Sequence, residues 1–205
     1  MNEYSEVSDL FNCLNTLGDV IIVGGALRDF AFKDSPPRDI DLIIDNQNKN
    51  ELENELENVF KKFDFRRNRF GGYKVVVNNL DFDIWSIYDN WAFKEGIHNS
   101  SFSNISKGTF YNFDAIAFNM TTHELDADIF IQSLSEKLLD ITLEDNFISM
   151  NPTPEINVLR AFKIRECWGL EFSEKVQNYI SAWYSVTSEP EEKLKKAELK
   201  HYGKK

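Results

Sequence analysis

Residues 38–45 read Arg-Asp-Ile-Asp-Leu-Ile-Ile-Asp, and this string constrains the fold more than any other part of the chain. Acidic residues alternate with Ile and Leu, which is typical of a β-strand with one apolar face. Asp39 and Asp41 therefore leave the same face, with Cα atoms about 6.5–7 Å apart. Two carboxylates this close repel each other unless a cation lies between them. The string predicts a strand that holds divalent metal ions, with a solvated strand end as the alternative for the pair alone.

A second strand and a glycine turn precede this string. Asp19–Val23 is rich in β-branched residues and ends in Gly24-Gly25, and Ala26–Phe32 has the length of a short helix. Asp34-Ser35-Pro36-Pro37 then breaks the helix. Backbone without side chains and the first N–H groups of a helix allow a triphosphate to approach closely. The alternative for the glycines is a tight turn that needs positive φ angles.

Arg28 lies one turn into this helix, and two roles are open for it. Its guanidinium is suited to bind phosphate oxygens in a bidentate manner. Alternatively, Asp29 holds Arg28 or Arg38 in a structural ion pair.

A third carboxylate is expected on a neighbouring strand. Leu80–Ile87 alternates again and places Asp81 and Asp83 on one face. We assign the more central Asp83 as the third metal ligand and the activator of an attacking hydroxyl, and Asp81 as an edge charge; the reverse assignment stays open. In a two-metal reaction one ion lowers the pKa of the attacking hydroxyl and the other holds the triphosphate. The three aspartates and the glycine turn predict this chemistry.

The remaining patterns predict an α+β fold, a small mixed sheet followed by a helical C-terminal portion. Strand signals also occur at Phe63–Phe70 and Tyr73–Val77, around Gly71-Gly72, and at Thr109–Met120. Helical spacing or capping signals occur at residues 4–17, 50–63, 152–168 and 173–184, and in a last helix from Glu189. For the aromatic residues around the long segment after the third acidic strand we expect core or lid packing rather than base stacking: Trp85, Trp91, Phe93 and Phe102.

The composition and net charge of the chain limit the partners that it can bind. Hydrophobic residues make up 42% of 205 residues, enough for a packed core, and the formal charge of −11 argues against broad electrostatic binding of nucleic acid. Lys193–Lys205 is an exception, with six Lys and one Glu, and is either a docking element for RNA or a solvated helix end. The acidic N-terminus and the lack of a long apolar run predict a cytoplasmic protein that does not bind membranes.

Taken together, Gly24-Gly25-Ala26-Leu27-Arg28-Asp29 and Arg38-Asp39-Ile40-Asp41-Leu42 resemble the head domain of the bacterial-type poly(A) polymerases and CCA-adding enzymes, in the polymerase-β-like nucleotidyltransferase superfamily. Phe113-Asp114-Ala115-Ile116-Ala117-Phe118 is similar to the family string Ile-Asn-Ala-Leu-Ala-Tyr. Val158–Lys163, continuing to Gly169–Phe172, is similar to the start of its neck helices. The resemblance implies a head domain at residues 1–122 and a neck-like region with the Lys-rich tail at 123–205.

The same resemblance implies a five-stranded core, two Mg²⁺ ions with Mn²⁺ as the alternative, and nucleotide contacts at Gly25, Arg28 and Arg160. Gly24, Asn157 and Lys163 complete the predicted nucleotide-binding set. The chain departs from the family at Gly108-Thr109-Phe110, where the family has Arg-Arg-Asp. It also has Thr153, Pro154 and Asn157 in place of the acid and arginine of a base-reading Glu-Asp-x-x-Arg. We expect the tRNA-binding body and tail domains of the family to be absent.

The sequence thus predicts a metal-dependent nucleotidyltransferase that transfers a nucleoside monophosphate from an NTP such as ATP to a hydroxyl and releases pyrophosphate. The acceptor stays open between the 3′ end of an RNA or tRNA, a small molecule and a protein side chain. A catalytically impaired nucleotide-binding module and a nucleotidyltransferase of a toxin or phage-defence system are the alternatives.

Overall fold

The computed structural model describes residues 3–32, 37–46, 48–68 and 70–203. Within them the helices are α1 (Glu3–Asn15), α2 (Gly25–Phe32), α3 (Lys49–Phe60), α4 (Trp91–Lys94), α5 (Phe102–Ile105), α6 (Asp128–Glu136), α7 (Asp145–Ile148), α8 (Pro154–Trp168), α9 (Glu174–Val186) and α10 (Pro190–His201). The strands are β1 (Asp19–Val23), β2 (Asp39–Asp45), β3 (Asp64–Arg67), β4 (Tyr73–Val77), β5 (Leu80–Ser86), β6 (Ala117–Asn119), β7 (Leu125–Asp126), β8 (Leu138–Leu139) and β9 (Glu171–Phe172).

The chain divides into two compact units. The first holds the residues up to Thr109 together with Asp114–Ile129, and the second holds Phe110–Phe113 and the residues from Phe130 onward. The predicted boundary between a head domain at 1–122 and a neck-like region at 123–205 stays a prediction.

The first unit contains a seven-stranded mixed sheet with the order β3-β4-β5-β2-β1-β6-β7. β2 and β5 are parallel, and the other neighbouring strands are antiparallel. The resemblance implied five strands, whereas the described sheet is extended by β3 at one edge and by the two-residue β7 at the other. The mixed α and β architecture predicted from the sequence is confirmed.

Both faces of this sheet are covered by apolar side chains. Even-numbered residues of β2, such as Ile40, Leu42 and Ile44, pack in one core with Leu10 and Leu14 of α1. The opposite face is packed at Ile43 of β2 by the segment after β5, where Ile87, Ala92, Phe93 and Ile105 are buried. Trp85, Trp91 and Phe102 pack against the same cluster, which confirms the prediction of core or lid packing. The acidic residues of β2 share this second face, because side chains alternate along a strand.

The second unit is mainly helical, with β8 and β9 paired in parallel. α8 begins with Pro154 in its first turn and ends at Gly169, whose φ of +69° is the left-handed conformation that glycine adopts readily. The Ser173 side chain accepts a hydrogen bond from the Val176 N–H and caps α9. These helix boundaries follow the predictions from the sequence closely.

One predicted element is wrong in extent. Thr109–Met120 was expected as a strand, but only Ala117–Asn119 pairs in the sheet, and Asn112–Asp114 forms a 3-10 turn. The Asn112 side chain bonds to the backbone of Leu138 and Asp140, and Tyr111 forms an isolated bridge with Ile141. These bonds to later residues replace the sheet ladder, which the local pattern does not reveal.

The predicted helix break at Asp34, Ser35 and Pro36 lies outside the described residues. No helix in the described part of the chain combines the length and apolar character needed to cross a membrane.

Candidate active site

Four carboxylates lie on two neighbouring strands of the sheet. In the parallel pair of β2 and β5, Asp39 is opposite Asp81 and Asp41 is opposite Asp83. Residues that are opposite each other on adjacent strands face the same side, with the strands about 4.8 Å apart. We call these four residues the acid cluster. The structure therefore brings together the three predicted metal ligands, and it places Asp81 beside them.

Lys74 on β4 lies next to the acid cluster. It is opposite Asp83 in the antiparallel pair of β4 and β5, and its Nζ lies 3.2 Å from Asp81 Oδ2 and 3.3 Å from Asp83 Oδ2. No local sequence pattern pointed to this residue. Asn78 and Asn79, with φ angles of +51° and +64°, form a two-residue hairpin turn, and recognising that turn would have set Lys74 opposite Asp83.

The pKa values of the two central residues follow from this arrangement. Burial raises the pKa of Asp83; Lys74 opposes this effect, and the negative charges of Asp39 and Asp81 add to it. Burial lowers the pKa of Lys74, but the charges of Asp83 and Asp81 outweigh burial, so the pKa is raised overall. Lys74 thus stays an ammonium ion that compensates part of the negative charge of the acid cluster.

The glycine turn lies beside the same cluster. Val23 at the end of β1 is opposite Asp41, so Gly24 follows at the edge of the sheet where the carboxylates lie. Gly24 has a φ of +69°, and its N–H donates to the carbonyl of Ile116 at 2.8 Å. α2 begins at Gly25, so the partly positive N-terminal end of this helix faces the same edge. The turn thus needs the positive φ of a glycine and also borders the predicted site.

Arg28 is buried and held by two carboxylates. Its Nε lies 3.2 Å from Asp29 Oδ1 and its Nη1 lies 2.7 Å from Asp114 Oδ1. The structural ion pair with Asp29 is therefore present, and Asp114 is a second partner that no local sequence pattern indicated. Arg38 instead binds the neighbouring Asp39, with Nη2 at 2.6 Å from Oδ2.

The oxygen donors of the acid cluster suit Mg²⁺. Mg²⁺ takes one or two carboxylates and completes its shell with phosphate oxygens and water, so it does not need a cage of protein ligands. Among the described residues, no three or more His, Cys, Asp or Glu side chains form a group that could hold a metal ion. Asp39 and Asp41, with Asp83 beside Asp41, would supply the carboxylates.

The other predicted nucleotide-binding residues lie on α8, in the second unit. Asn157 is buried, and its side-chain amide donates to Asn151 Oδ1 at 2.9 Å. Arg160 is half-buried. Lys163 Nζ lies 2.7 Å from Glu198 Oε1 and 5.8 Å from the ring centroid of Tyr202. Asn157 and Lys163 thus have partners within their own unit, and the nucleotide contacts of all three residues stay predictions.

The Lys-rich segment is helical in its first part. Lys193, Lys195, Lys196 and Lys200 lie on α10 and are exposed, whereas Lys204 and Lys205 lie outside the described residues. Exposed lysines on one helix are compatible with either a docking element or a solvated helix.

Comparison with known proteins agrees with the fold and the motifs. Residues 20–146 match the family model described as the Poly A polymerase head domain. No curated protein matches the sequence.

Several solved structures are similar. A CCA-adding enzyme in complex with CTP has a TM-score of 0.66 at 18% identity, over 98% of this chain and 49% of the enzyme. The Thermotoga maritima CCA-adding enzyme complexed with tRNA_CCA has a TM-score of 0.64 at 16% identity, over 94% of this chain and 46% of that one. A tRNA nucleotidyltransferase complexed with a primer tRNA and an incoming ATP analog has a TM-score of 0.60 at 18% identity, over 87% of this chain and 50% of that enzyme. The chain thus spans about half the length of these enzymes and shares their fold.

Proposed function

The chain belongs to the poly(A) polymerase head domain family, and we propose that it transfers a nucleoside monophosphate from an NTP to a hydroxyl group. The observation that carries the proposal is the register of β2 and β5, which places Asp39, Asp41 and Asp83 on one face, next to the glycine turn. A strand register is set by the whole sheet. The juxtaposition is therefore a property of the fold rather than of one flexible side chain.

Each residue of the site has its own role in binding or transfer. Gly24, Gly25 and the first N–H groups of α2 bind the triphosphate, because a helix N-terminus attracts anions. Arg28 contacts its oxygens. Asp39, Asp41 and Asp83 would hold two divalent ions, Mg²⁺ or alternatively Mn²⁺. When bound, these ions favour the deprotonated hydroxyl and stabilise the charge of the leaving pyrophosphate.

Asp83 is the group that receives the proton of the acceptor hydroxyl in this proposal. Its carboxylate lies opposite Asp41 on the neighbouring strand, and a carboxylate within reach of the hydroxyl can accept its proton. The hydroxyl oxygen bonds to the α-phosphorus, the bond from that phosphorus to the bridging oxygen breaks, and pyrophosphate leaves with the bonding pair. Asp81, which is more exposed and also bound by Lys74, supports the charge balance.

The acceptor is part of the proposal and follows from charge. The first unit presents an acidic centre, whereas α10 presents exposed lysines. We propose an RNA 3′ end as the acceptor, docked by the Lys-rich segment, and keep a small molecule or a protein side chain as outcomes of the test. We further propose a cytoplasmic location.

The test is a transfer assay with the whole chain. Each of the four NTPs, labelled at the α-phosphate, is incubated with the protein, Mg²⁺ and either total RNA, a small-molecule extract or a protein lysate. Label is expected in one acceptor class, and Asp41→Asn should abolish it. Asp45→Asn is the matched control, since Asp45 lies on the same strand at its other end, opposite Asp19. Labelling by Asp41→Asn at the level of the unchanged protein would contradict the proposal.

A nucleotide-binding module without turnover is the second candidate. The observation that favours it is Lys74, whose contacts with Asp81 and Asp83 occupy oxygens that metal ions would need. Such a module would bind an NTP in an equilibrium assay and label no acceptor under any of the conditions above.

A further inference from the structure

Asp114 has no role in the reaction described above, yet its carboxylate lies closer to the Arg28 guanidinium than that of Asp29 does. The Arg28 and Asp114 side chains are only 11% and 8% exposed, and their 2.7 Å contact joins residues 86 positions apart. A charge-assisted hydrogen bond of this length and burial is among the stronger polar contacts in proteins. It links the beginning of α2 to the chain segment that leads into β6.

The guanidinium of Arg28 lies against the glycine turn. Side chains of a helix lean toward its N-terminus, and a Cβ at Gly25 would lie only 3.0 Å from Nη2 of Arg28. Gly25 therefore leaves the room in which the guanidinium lies. A cation near the N-terminus of a helix is unfavourable, because that end of the helix is itself partly positive. The carboxylates of Asp29 and Asp114 offset this cost.

The backbone around Asp114 is fixed to the same turn. The Asp114 carbonyl accepts from the Ile116 N–H at 2.9 Å, and the Ile116 carbonyl accepts from the Gly24 N–H at 2.8 Å. The position of the carboxylate is thus tied to the position of the turn.

We propose that Asp114 is a positioning residue that holds the Arg28 guanidinium against the Gly24-Gly25 turn and thereby sets the affinity for the triphosphate of the donor. The inference rests on the proposed function, because it assumes that the turn binds a triphosphate. Asp114 stands where the family string has Asn.

The test measures binding in the absence of an acceptor. Dissociation constants for ATP and for inorganic triphosphate, both with Mg²⁺, are determined by calorimetry for the unchanged protein, Arg28→Gln, Asp114→Ala and Asp114→Asn. We expect Asp114→Ala and Arg28→Gln each to weaken binding of both probes roughly tenfold or more, within the range for a charge-assisted contact. Asp114→Asn keeps an acceptor oxygen and should stay within roughly threefold. Asp128→Ala, which removes an exposed carboxylate from α6, is the matched control and should bind normally.

A double substitution separates positioning from a general structural role. Asp114→Ala combined with Arg28→Gln should bind no more weakly than Arg28→Gln alone, because Asp114 acts through Arg28. In transfer assays Asp114→Ala should raise KM for the NTP and leave kcat within about twofold. If Asp114→Ala does not fold, as judged by circular dichroism, Asp114→Ser, which shortens the side chain and removes the carboxylate, is compared in the two Arg28 backgrounds instead.

Three results would overturn the inference. Tighter triphosphate binding by Asp114→Ala would mean that Asp114 competes with the phosphate for Arg28. An equal loss in both Arg28 backgrounds would mean that Asp114 does not act through Arg28. Unchanged affinity of Asp114→Ala would mean that the contact has no effect on the donor. If the unchanged protein binds neither probe, the proposed function itself fails, which is a distinguishable result.

Discussion

Replacing Lys74 by Met tests how the acid cluster is stabilised. The substitution removes the ammonium ion and keeps an unbranched apolar side chain of similar length. The Lys74 Nζ lies 3.2 Å and 3.3 Å from oxygens of Asp81 and Asp83. The side chains of Lys74 and Asp83 are 21% and 20% exposed, whereas that of Asp81 is 44% exposed. The pair with Asp83 therefore dominates the expected effect.

The size of the effect follows from this burial. An exposed ion pair contributes about 0.2–1 kcal/mol, and removing one partner of a fully buried pair costs about 3–5 kcal/mol. The pair of Lys74 and Asp83 lies between these limits. We therefore expect Lys74→Met to lower the free energy of unfolding by about 2 kcal/mol at pH 7.

The effect should depend on pH. Burial raises the pKa of Asp83, and Lys74 opposes this, so loss of Lys74 raises the pKa further. A carboxyl group whose pKa is raised by folding binds its proton more tightly in the folded state. Stability is then lost as the pH rises from the ordinary pKa through the raised one. The deficit of Lys74→Met should therefore be present at pH 7, shrink as the pH falls through the raised pKa of Asp83, and be small below about pH 4, where the carboxyl is protonated in both states.

The free energy of unfolding is measured by urea titration at pH 7 and below about pH 4, with circular dichroism as the signal. Lys94→Met is the matched control, because Lys94 pairs with Asp89 at 2.9 Å but is 46% exposed, and it should cost less than about 1 kcal/mol. Adding Asp83→Asn to Lys74→Met should recover part of the loss, since the uncompensated carboxylate is removed. A deficit equal at both pH values, or no deficit at pH 7, would refute the electrostatic reasoning.

Asp39→Asn and Asp41→Asn should each lower nucleotidyl transfer at least about 100-fold in the labelling assay. The free energy of unfolding without metal should stay equal or rise by less than about 1 kcal/mol, because each substitution removes like-charge repulsion. Asp83→Asn should be as inactive, and Asp81→Asn should keep activity; the opposite result would exchange their roles. Competition of all four NTPs should show loose discrimination, and strict addition of CTP and then ATP to tRNA lacking its 3′ end would contradict this. Deleting residues 193–205 should raise KM for an RNA acceptor. It should also reduce the slope of log affinity against log salt concentration, which is about −0.7 per phosphate contact for a single strand. An unchanged KM would exclude RNA as the acceptor.

Local signals predicted much of the fold because they act over a few residues. β2 begins and ends where the alternation of acids with Ile and Leu does, and Gly169 ends α8 as expected. Thr109–Met120 was wrong because its polar groups bond to residues 138–140, a choice made by tertiary structure. Local patterns do not encode such long-range bonds.

The residues of the candidate site also fall into two groups, those that a local string indicates and those whose partners are distant in the sequence. Asp39, Asp41, Asp83 and Arg28 were predicted as site residues because they lie in recognisable strings, and their roles stay predictions. Lys74 was missed because its place depends on the register of a hairpin. Asp114 showed only a weak signal, as a single charge in an apolar string, and its partner lies 86 positions away. The partners of charged groups thus required the structure.

The place of β1 in the sheet has a consequence for how the chain is made on the ribosome. β1 pairs on one side with β2, where Val20 is opposite Ile44. On its other side β1 pairs with β6, which comes much later in the chain, and Ile21 is opposite Asn119. In a nascent chain that ends after β5, both acidic strands have been synthesised, but β1 lacks its partner β6 and Arg28 lacks Asp114. Open strand edges pair with other chains, and contacts over long sequence separations form slowly. Pausing translation before residue 114 should therefore favour aggregation, and pausing beyond β6 should relieve it.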